Sequence, residues 1–155
     1  MSIEVSNLRV TKLRAYLMDI ITELIGQYEE MNINFLSNEP NNYSLDKIPV
    51  NPITEQWIIG NFLKRDVYSL KSRMNYSADT MTNIENIGFY ETFEKIIKQK
   101  NDSNDLPDIQ GIQSISCLNC GTLNRANTNT AEFDIQIQIE YREVLSDYDI
   151  PIVSL

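Results

Sequence analysis

Residues 133–142 read F-D-I-Q-I-Q-I-E-Y-R, and this stretch decides the fold. Apolar side chains alternate with polar or charged ones along the whole run. Because successive side chains of a strand point to opposite faces, the pattern predicts a β-strand with one buried and one polar face. The carboxylates of the polar face are interpreted as a solvated surface and not as an acid–base site, since no nucleophile accompanies them.

The nearest partner for this strand lies just upstream. Ile112–Leu118 is predicted to pair with it in antiparallel orientation. Residues 119–130 between the two are rich in Asn, Thr and Gly, which is typical of a long hairpin loop. Arg125 is expected at the exposed tip of this loop.

A second hairpin is predicted further upstream. Gln56–Ile59 and Leu63–Met74 are strand-like, and Gly60-Asn61 between them is a tight-turn signal, because glycine supplies the positive φ that such turns require. Neither face of the longer strand is cleanly apolar, which indicates a bulge or an interface. Its basic residues are a candidate DNA-binding patch or, as the favoured interpretation, a solvated face. They are Lys64, Arg65, Lys71 and Arg73.

Two amphipathic helices are predicted from apolar residues at helical spacing. The first spans Asn7–Tyr28. The second begins at an N-cap, Asp79 or Thr80, and runs to Lys100. Gly88 is a possible break in it. Each helix is expected to cover the core with its apolar stripe.

Between the first helix and the predicted Gln56–Met74 hairpin, the chain is rich in asparagine and proline. Residues 31–35 alternate apolar and Asn side chains and predict a short strand. Residues 37–54 contain three prolines and four asparagines, so they predict a long excursion with one extended piece at Tyr43–Ile48. Because loops of this length in compact domains are usually functional, we interpret residues 37–54 as a candidate arm toward a neighbour.

The residue types present argue against most catalytic chemistry. The chain has no histidine, which removes the usual general base near neutral pH and the commonest zinc ligand. Cys117 and Cys120 form a lone C-L-N-C that lacks two further ligands for zinc within one chain. The alternatives are a metal site shared between subunits or, as favoured here, two small strand residues. We therefore expect no enzyme activity, no metal and no cofactor.

Composition indicates one soluble domain. The 155 residues are enough for an ordinary core without disulfide or metal support. The N-terminal sequence lacks the features of a secretory signal, and no apolar run is long enough to span a membrane, so we expect a cytosolic protein without a membrane partner. Residues 102–155 hold nine acidic and two basic side chains, a net charge of −7, which disfavours tight DNA binding.

These elements predict an α+β fold. An antiparallel or mixed sheet of about four to six strands is flanked by an N-terminal helix and a second amphipathic helix in a single domain, residues 1–155. Its irregular parts are the arm at residues 37–54, the hairpin loop at 119–130 and a possible C-terminal tail at 144–155.

The order of elements resembles the tail-terminator proteins, also called tail-completion or minor capsid proteins, of siphophages, myophages and phage-tail-like contractile bacteriocins. The resemblance covers about residues 8–143 and rests on the order and spacing of several short motifs, none of them specific alone. The motifs are NYSLDKIP at 42–49, NP at 51–52, WIIG at 57–60, S-R-x-x-Y-S at 72–77, N-I-x-N-x-G-F-Y-E at 83–91, LPD at 106–108 and the closing strand at 131–141.

The resemblance implies a structural protein without enzyme activity or cofactor. Such a subunit forms a ring, expected to be a hexamer, that caps the head-proximal end of the tail tube and ends its polymerisation. Implied partners are further copies of the chain, the tail tube protein, and sheath, neck, connector or collar proteins, with DNA only as passing cargo. Assembly would occur in the bacterial host cytoplasm and lead into a virion or tail-like particle.

Two alternatives stay open, namely another neck or head–tail connector component and a small DNA-contacting particle protein. Candidate residues for contact with a neighbouring subunit or the tube are basic strand residues and residues of the 119–130 loop. They are Lys64, Arg65, Arg73, Asn124, Arg125 and Asn127.

Overall fold

A computed structural model of the chain describes residues 5–26, 31–37, 40, 42–56, 61–75, 80–119, 121–126 and 130–144. Two α-helices flank a mixed sheet of seven strands, which confirms the predicted α+β class. The strand number exceeds the four to six expected. The additional strand is Thr122–Ala126, which lies within residues 119–130, a segment predicted to be a loop.

The element bounds follow the chain in order. A 3₁₀ turn at Val5–Asn7 precedes helix α1, and helix α2 lies between the fourth and fifth strands. The helices are α1 (Arg9–Ile25) and α2 (Thr80–Asp102). The strands are β1 (Met31–Ile33), β2 (Asn42–Ile48), β3 (Ile53–Gln56), β4 (Asn61–Asn75), β5 (Ile112–Cys117), β6 (Thr122–Ala126) and β7 (Thr130–Val144).

The centre of the sheet is the antiparallel pair β4–β7. It runs without a register break from Asn61 opposite Val144 to Asn75 opposite Thr130. The strand order is β1-β2-β4-β7-β5, with β1 parallel to β2, β3 also on β4 and β6 also on β7. The strand with the clearest sequence pattern is therefore the second of the two central strands.

Each central strand has a split partner. Along β4, β2 and β3 lie end to end in the same antiparallel direction, separated by a segment that contains Pro49 and Pro52. Proline has no N–H to donate to a ladder, so it interrupts the strand there. Along β7, β5 and β6 likewise pair with successive parts of one strand, and residues 118–121 lie between them in the chain.

The interpretation of residues 37–54 as an arm is wrong for their central part. Tyr43, Ser44 and Leu45 are buried, and β2 is hydrogen-bonded to β1 on one side and β4 on the other. Tyr43 and Leu45 alternate with Ser44 and Asp46 as in a strand, but the asparagine- and proline-rich flanks misled the assignment. The predicted extended piece was right, but it lies inside the sheet.

Both helices pack against one face of the sheet, which we call the helix face. On β7 the predicted alternation is confirmed, because Phe133, Ile135, Ile137, Ile139 and Tyr141 are buried there. Helix α1 contributes leucines and isoleucines and α2 contributes aromatic residues to one continuous core. The helical residues of this core are Leu13, Leu17, Met18, Ile20, Ile21, Tyr90, Phe93 and Ile97.

No helix among the described residues covers the opposite face, which we call the polar face. Its central strands contribute alternating polar side chains, and the hydroxyl of buried Ser69 donates a hydrogen bond of 2.6 Å to Asp134. The mixed character predicted for residues 63–74 arises here, since Val67 and Ser69 are buried on this face while Tyr68 and Leu70 are buried on the other.

The helices occupy much of their predicted spans, with three differences. Helix α1 ends at Gly26, which adopts φ 83° and donates its N–H to the Thr22 carbonyl at 2.8 Å. Gly88 does not break α2, which is continuous. Ile84 and Ile87 have the helical spacing expected of the apolar stripe of α2, but they are 55% and 53% exposed, so only the later turns face the core.

The β3–β4 hairpin is present, with Gln56 opposite Phe62. Asn61 belongs to β4 and not to the turn, and the predicted Trp57–Gly60 part lies outside the described residues. Within the predicted 119–130 loop, Thr122–Ala126 form β6, which pairs with β7. Of the predicted C-terminal tail, only Val144 is described, as the last residue of β7.

Gly121 occupies the interruption between β5 and β6. A Cβ atom at this position would overlap the ring of Tyr90 on α2. Glycine therefore lets the helix aromatic contact the backbone of the edge strand directly.

Candidate functional site

The most concentrated chemistry of the described residues surrounds Asp66. This carboxylate lies on the helix face of β4 and is only 3% exposed. Arg9, the first residue of α1, donates from Nε to Oδ2 at 2.7 Å, and the Tyr141 hydroxyl donates to Oδ1 at 3.2 Å. The Tyr68 hydroxyl lies 3.5 Å from Oδ2, and Lys47 Nζ lies 3.7 Å from Oδ1.

The arrangement places Arg9 in three favourable interactions. Its guanidinium stacks over the Tyr141 ring at 4.4 Å from the centroid, and Nη1 lies 3.9 Å from Glu143 Oε1. Cation–π contact and a charge-assisted hydrogen bond both favour arginine over lysine at such a site. These contacts connect the start of α1 to β4 and β7.

The titration of these groups favours a structural role. Burial raises the pKa of Tyr68 and of Tyr141, and the negative charge of Asp66 raises both pKa values further. The positive charge of Arg9 lowers both pKa values, but by less than Asp66 raises them. Burial lowers the pKa of Arg9, but the hydrogen bond and charge of Asp66 raise it overall. Near neutral pH the tyrosines therefore stay neutral donors and Arg9 stays charged, so the cluster holds its protons.

The predicted basic patch is not one surface. Lys64 lies on the helix face, where its ammonium contacts Glu143 at 2.8 Å. Arg65, Lys71 and Arg73 lie on the polar face, since alternate residues of a strand point in opposite directions. The interpretation of four residues as a single DNA-binding patch is therefore wrong.

The three basic residues of the polar face have partners within the chain. Arg65 donates from Nε to the Asn51 carbonyl at 3.1 Å. Lys71 pairs with Asp46 at 3.1 Å, and the pKa of Lys71 is raised, chiefly by that hydrogen bond. Arg73 donates from Nε to the Ser37 carbonyl at 2.8 Å. These contacts bind the edge segments to the central strand.

The other candidate contact residues lie at the far edge of the sheet. Asn124 and Arg125 belong to β6, where the backbone of Arg125 lies opposite Glu132. Asn127 is outside the described residues. The structure thus separates Asn124 and Arg125 from Lys64, Arg65 and Arg73, which lie on a central strand.

The cysteines and other ligand-type residues give no metal centre among the described residues. Cys117 ends β5 with a half-buried side chain, and Cys120 is outside the described residues. Within the described part of the chain, no group of three or more His, Cys, Asp or Glu residues is placed to hold a metal ion.

Exposed apolar residues mark both lateral edges of the sheet. Ile33 and Phe35, in and just after β1, are 42% and 63% exposed. Leu118 and Leu123, after β5 and in β6, are 48% and 49% exposed. Sequence reasoning assigned none of these four to a contact surface, because which strands form the edges is decided by pairing across the sheet.

The Asp66 cluster was also not predicted. A local signal existed, since Asp66 interrupts the apolar side of β4 two residues before buried Tyr68. Its partner Arg9 is 57 residues away in the chain, and no local pattern identifies such a pair.

Comparison with known protein families and with curated protein sequences found no match. Among the described residues, no helix combines the length and apolar character needed to cross a membrane.

Proposed function

We propose that the chain is a structural assembly protein, a tail terminator that forms a ring on the head-proximal end of a phage or phage-like tail tube. The ring ends tube polymerisation and offers an attachment surface for neck, connector or collar proteins. The sequence resemblance supports this role. The observation that carries it is the pair of apolar edges on opposite sides of the sheet.

A closed ring needs two different surfaces on each subunit, because each copy contacts its neighbours head to tail. The β1 edge with Ile33 and Phe35 and the β5–β6 edge with Leu118 and Leu123 lie at the two ends of the strand order. Open sheet edges with exposed apolar side chains are ordinary places for another chain to bind.

The predicted contact residues fall into two groups, one on an open edge of the sheet and one with partners within the chain. Asn124 and Arg125 lie on the β6 edge with Leu123, so we retain them as candidate contacts with a neighbouring subunit. Lys64, Arg65 and Arg73 are engaged within the chain, so a role in tube or DNA contact has less support. A neck or connector ring would use the same edges, whereas a DNA-contacting protein would need an accessible basic surface.

The test is assembly of the purified chain, measured by light scattering and by electron microscopy with isolated tail tubes. We expect ring-sized particles, alone or at tube ends, and a halt in tube growth. Leu123→Asp should abolish them, because it places a charge in the edge contact. Ile84→Asp is the matched control, because Ile84 lies on α2 and is 55% exposed, close to the 49% of Leu123.

Tubes that grow normally and carry no density at their ends would contradict the terminator role. Rings that bind an isolated neck or portal but not the tube would instead favour the connector alternative. Salt-sensitive DNA binding without rings would favour the DNA-contacting alternative.

A further inference from the structure

We propose that the last residues of β2 form an open slot in which an extended, acidic segment of a different protein binds as an added strand. The slot is the stretch Asp46–Ile48, on the side of β2 where β1 lies. The inference goes beyond the proposed ring and does not rest on it.

The slot arises because β1 covers only part of β2. β1 pairs with Tyr43–Leu45, and among the described residues no strand lies beside Asp46–Ile48 on that side. Asn34, directly after β1, adopts φ 54°, a left-handed conformation that ends the extended backbone. β2 is therefore an edge strand at Asp46–Ile48, although β1 covers it further up.

The backbone of Lys47 faces this slot. The Leu45 carbonyl accepts a hydrogen bond from the Asn34 N–H at 3.3 Å, so the backbone groups of Leu45 point to the β1 side. Alternate residues of a strand direct their N–H and C=O to the same side, so those of Lys47 point there as well. An extended segment receives one donor and one acceptor from Lys47, which is how a strand is added to a sheet edge.

Two cavities meet at the Lys47 side chain, which lines both. The first, of about 300 Å³, lies toward β1 and the start of α1, and the second, of about 320 Å³, lies toward the segment after β2. A bound strand therefore meets aliphatic surface on either side of a cation. The aliphatic walls include Leu8, Ile33 and Leu45 in the first cavity and Ile48, Val50 and Pro52 in the second.

The charges around the cavities favour an acidic segment. Arg9, Lys47 and Arg65 line them, and Asp66 is the only carboxylate among the described residues that do so. Asp66 is buried and accepts a hydrogen bond from Arg9, while Lys47 lies 3.7 Å away and is 58% exposed. The Lys47 ammonium therefore has donors left for a second carboxylate. This local excess of positive charge complements an acidic partner, although the whole chain has a net charge of −9.

The spacing of the slot defines the sequence pattern of the partner. In an extended chain, side chains at i, i+2 and i+4 point the same way and span about 13 Å. Leu45, Lys47 and Pro49 have this same spacing along the chain. An aliphatic residue, an acidic residue and a second aliphatic residue at i, i+2 and i+4 would meet the first cavity, Lys47 and the second cavity in turn.

The described edge strands of a second copy do not have this pattern. β1, β5 and β6 contain no acidic residue. In β3 a register shift between Ile53 and Glu55 breaks the alternation that the slot requires. The partner is therefore a different protein.

Fluorescence anisotropy with the purified full chain tests the inference. The probe is a fluorescein-labelled peptide, G-S-I-T-D-T-I-S-G, and we expect it to bind saturably. The same peptide with asparagine in place of aspartate should bind at least about threefold more weakly, because the charge contact is lost. Lys47→Glu should weaken binding of the aspartate peptide at least about tenfold, since attraction becomes repulsion.

Lys98→Glu is the matched control and should leave the affinity unchanged. Lys98 is also an exposed lysine in an ion pair, and both substitutions change the net charge by the same amount. Circular dichroism establishes that each variant is folded. If Lys47→Glu is not folded, Lys47→Gln replaces it, with an expected loss of about threefold.

Two further measurements test strand addition itself. Two forms of the probe are N-methylated on alternate residues, one on both threonines and the other on the aspartate and the second isoleucine. Only one of these sets directs its N–H groups to β2, so one form should lose binding and the other should retain it. Hydrogen exchange of the Lys47 amide should be rapid in the free chain and slowed by the probe.

Each contrary result overturns a stated part of the inference. No saturable binding up to about 1 mM, or equal affinity for the aspartate and asparagine peptides, would overturn the acidic partner. Loss of binding by both N-methylated forms, or by neither, would overturn strand addition. A Lys47 amide protected in the free monomer would assign the slot to another part of this chain. Self-association that Lys47→Glu abolishes and Lys98→Glu preserves would assign it to a second copy.

Discussion

Replacement of Tyr90 with phenylalanine should stabilise the protein. Tyr90 is 2% exposed, and its hydroxyl has no hydrogen-bond partner within the described part of the chain. Its ring contacts Phe89 at 5.0 Å and Phe133 at 5.5 Å between centroids. The substitution removes one oxygen and keeps this packing.

The expected gain follows from the cost of burying the hydroxyl. A buried polar group without a hydrogen bond costs about 1–3 kcal/mol in protein mutational data. Tyr90→Phe should therefore raise the free energy of unfolding at neutral pH by about that amount. Each kcal/mol corresponds to about 2–4 °C in Tm for a chain of this size.

The gain should increase at alkaline pH. Burial raises the pKa of Tyr90 well above its ordinary value, with smaller contributions from Tyr43 and Asp134. Above about pH 10 the unfolded chain releases the tyrosine proton while the folded chain retains it, so stability falls as pH rises. One such tyrosine contributes a slope of up to about 1.4 kcal/mol per pH unit, which Tyr90→Phe removes.

Urea unfolding at neutral pH and at several values above about pH 10 measures both effects. Tyr141→Phe is the matched control. The Tyr141 hydroxyl donates a hydrogen bond to Asp66, so this variant should have a free energy of unfolding about 1 kcal/mol lower at neutral pH. The pKa of Tyr141, like that of Tyr90, is raised by burial, and Asp66 raises it further. A loss of stability in Tyr90→Phe at neutral pH, or an unchanged alkaline slope, would refute the reasoning.

Four further substitutions test the packing and the charge cluster. Gly121→Ala should destabilise the protein by about 1–3 kcal/mol, because its Cβ would overlap the Tyr90 ring, whereas Gly88→Ala should stabilise it by about 0.5–1 kcal/mol, because no atom lies within 4 Å of that Cβ. Arg9→Met should cost about 2–3 kcal/mol in urea unfolding, below the usual range for a broken buried pair because Arg9 is partly exposed and Lys47 remains near Asp66. Ile137→Ala, in a fully buried position, should cost about 2–5 kcal/mol, and a smaller loss would indicate that the core is loosely packed there.

Much of the fold could be predicted because its signals are local. The alternation at Phe133–Tyr141 and the helical spacing in α1 each require only neighbouring residues, and both elements are present. The α+β class follows from these elements and the β3–β4 hairpin.

The remaining features depend on contacts that are distant in sequence. Tyr43 and Leu45 alternate with Ser44 and Asp46, which indicates an extended segment, but only its two neighbouring strands give β2 a place in the sheet. Gly88 is tolerated because packing of the later turns of α2 outweighs its helix cost of about 1 kcal/mol.

The candidate contact residues were chosen for their charge and their predicted loop position, and these two properties do not identify which side chains are free to contact another subunit. It could not distinguish basic side chains with partners inside the chain, such as Arg73, from those on an open edge. The apolar edge residues depend on strand order, which emerges only when the whole sheet is assembled.

The uninterrupted β4–β7 ladder has a consequence for biosynthesis. Its two strands are separated by the residues between Asn75 and Thr130, so even the nearest pair closes a loop of 55 positions (130 − 75). On the ribosome, β4 and both helices emerge before β7 exists to complete the centre of the sheet. The incomplete chain exposes the long edge of β4, so folding is expected to be slow and to depend on protection from aggregation until the last strand is made.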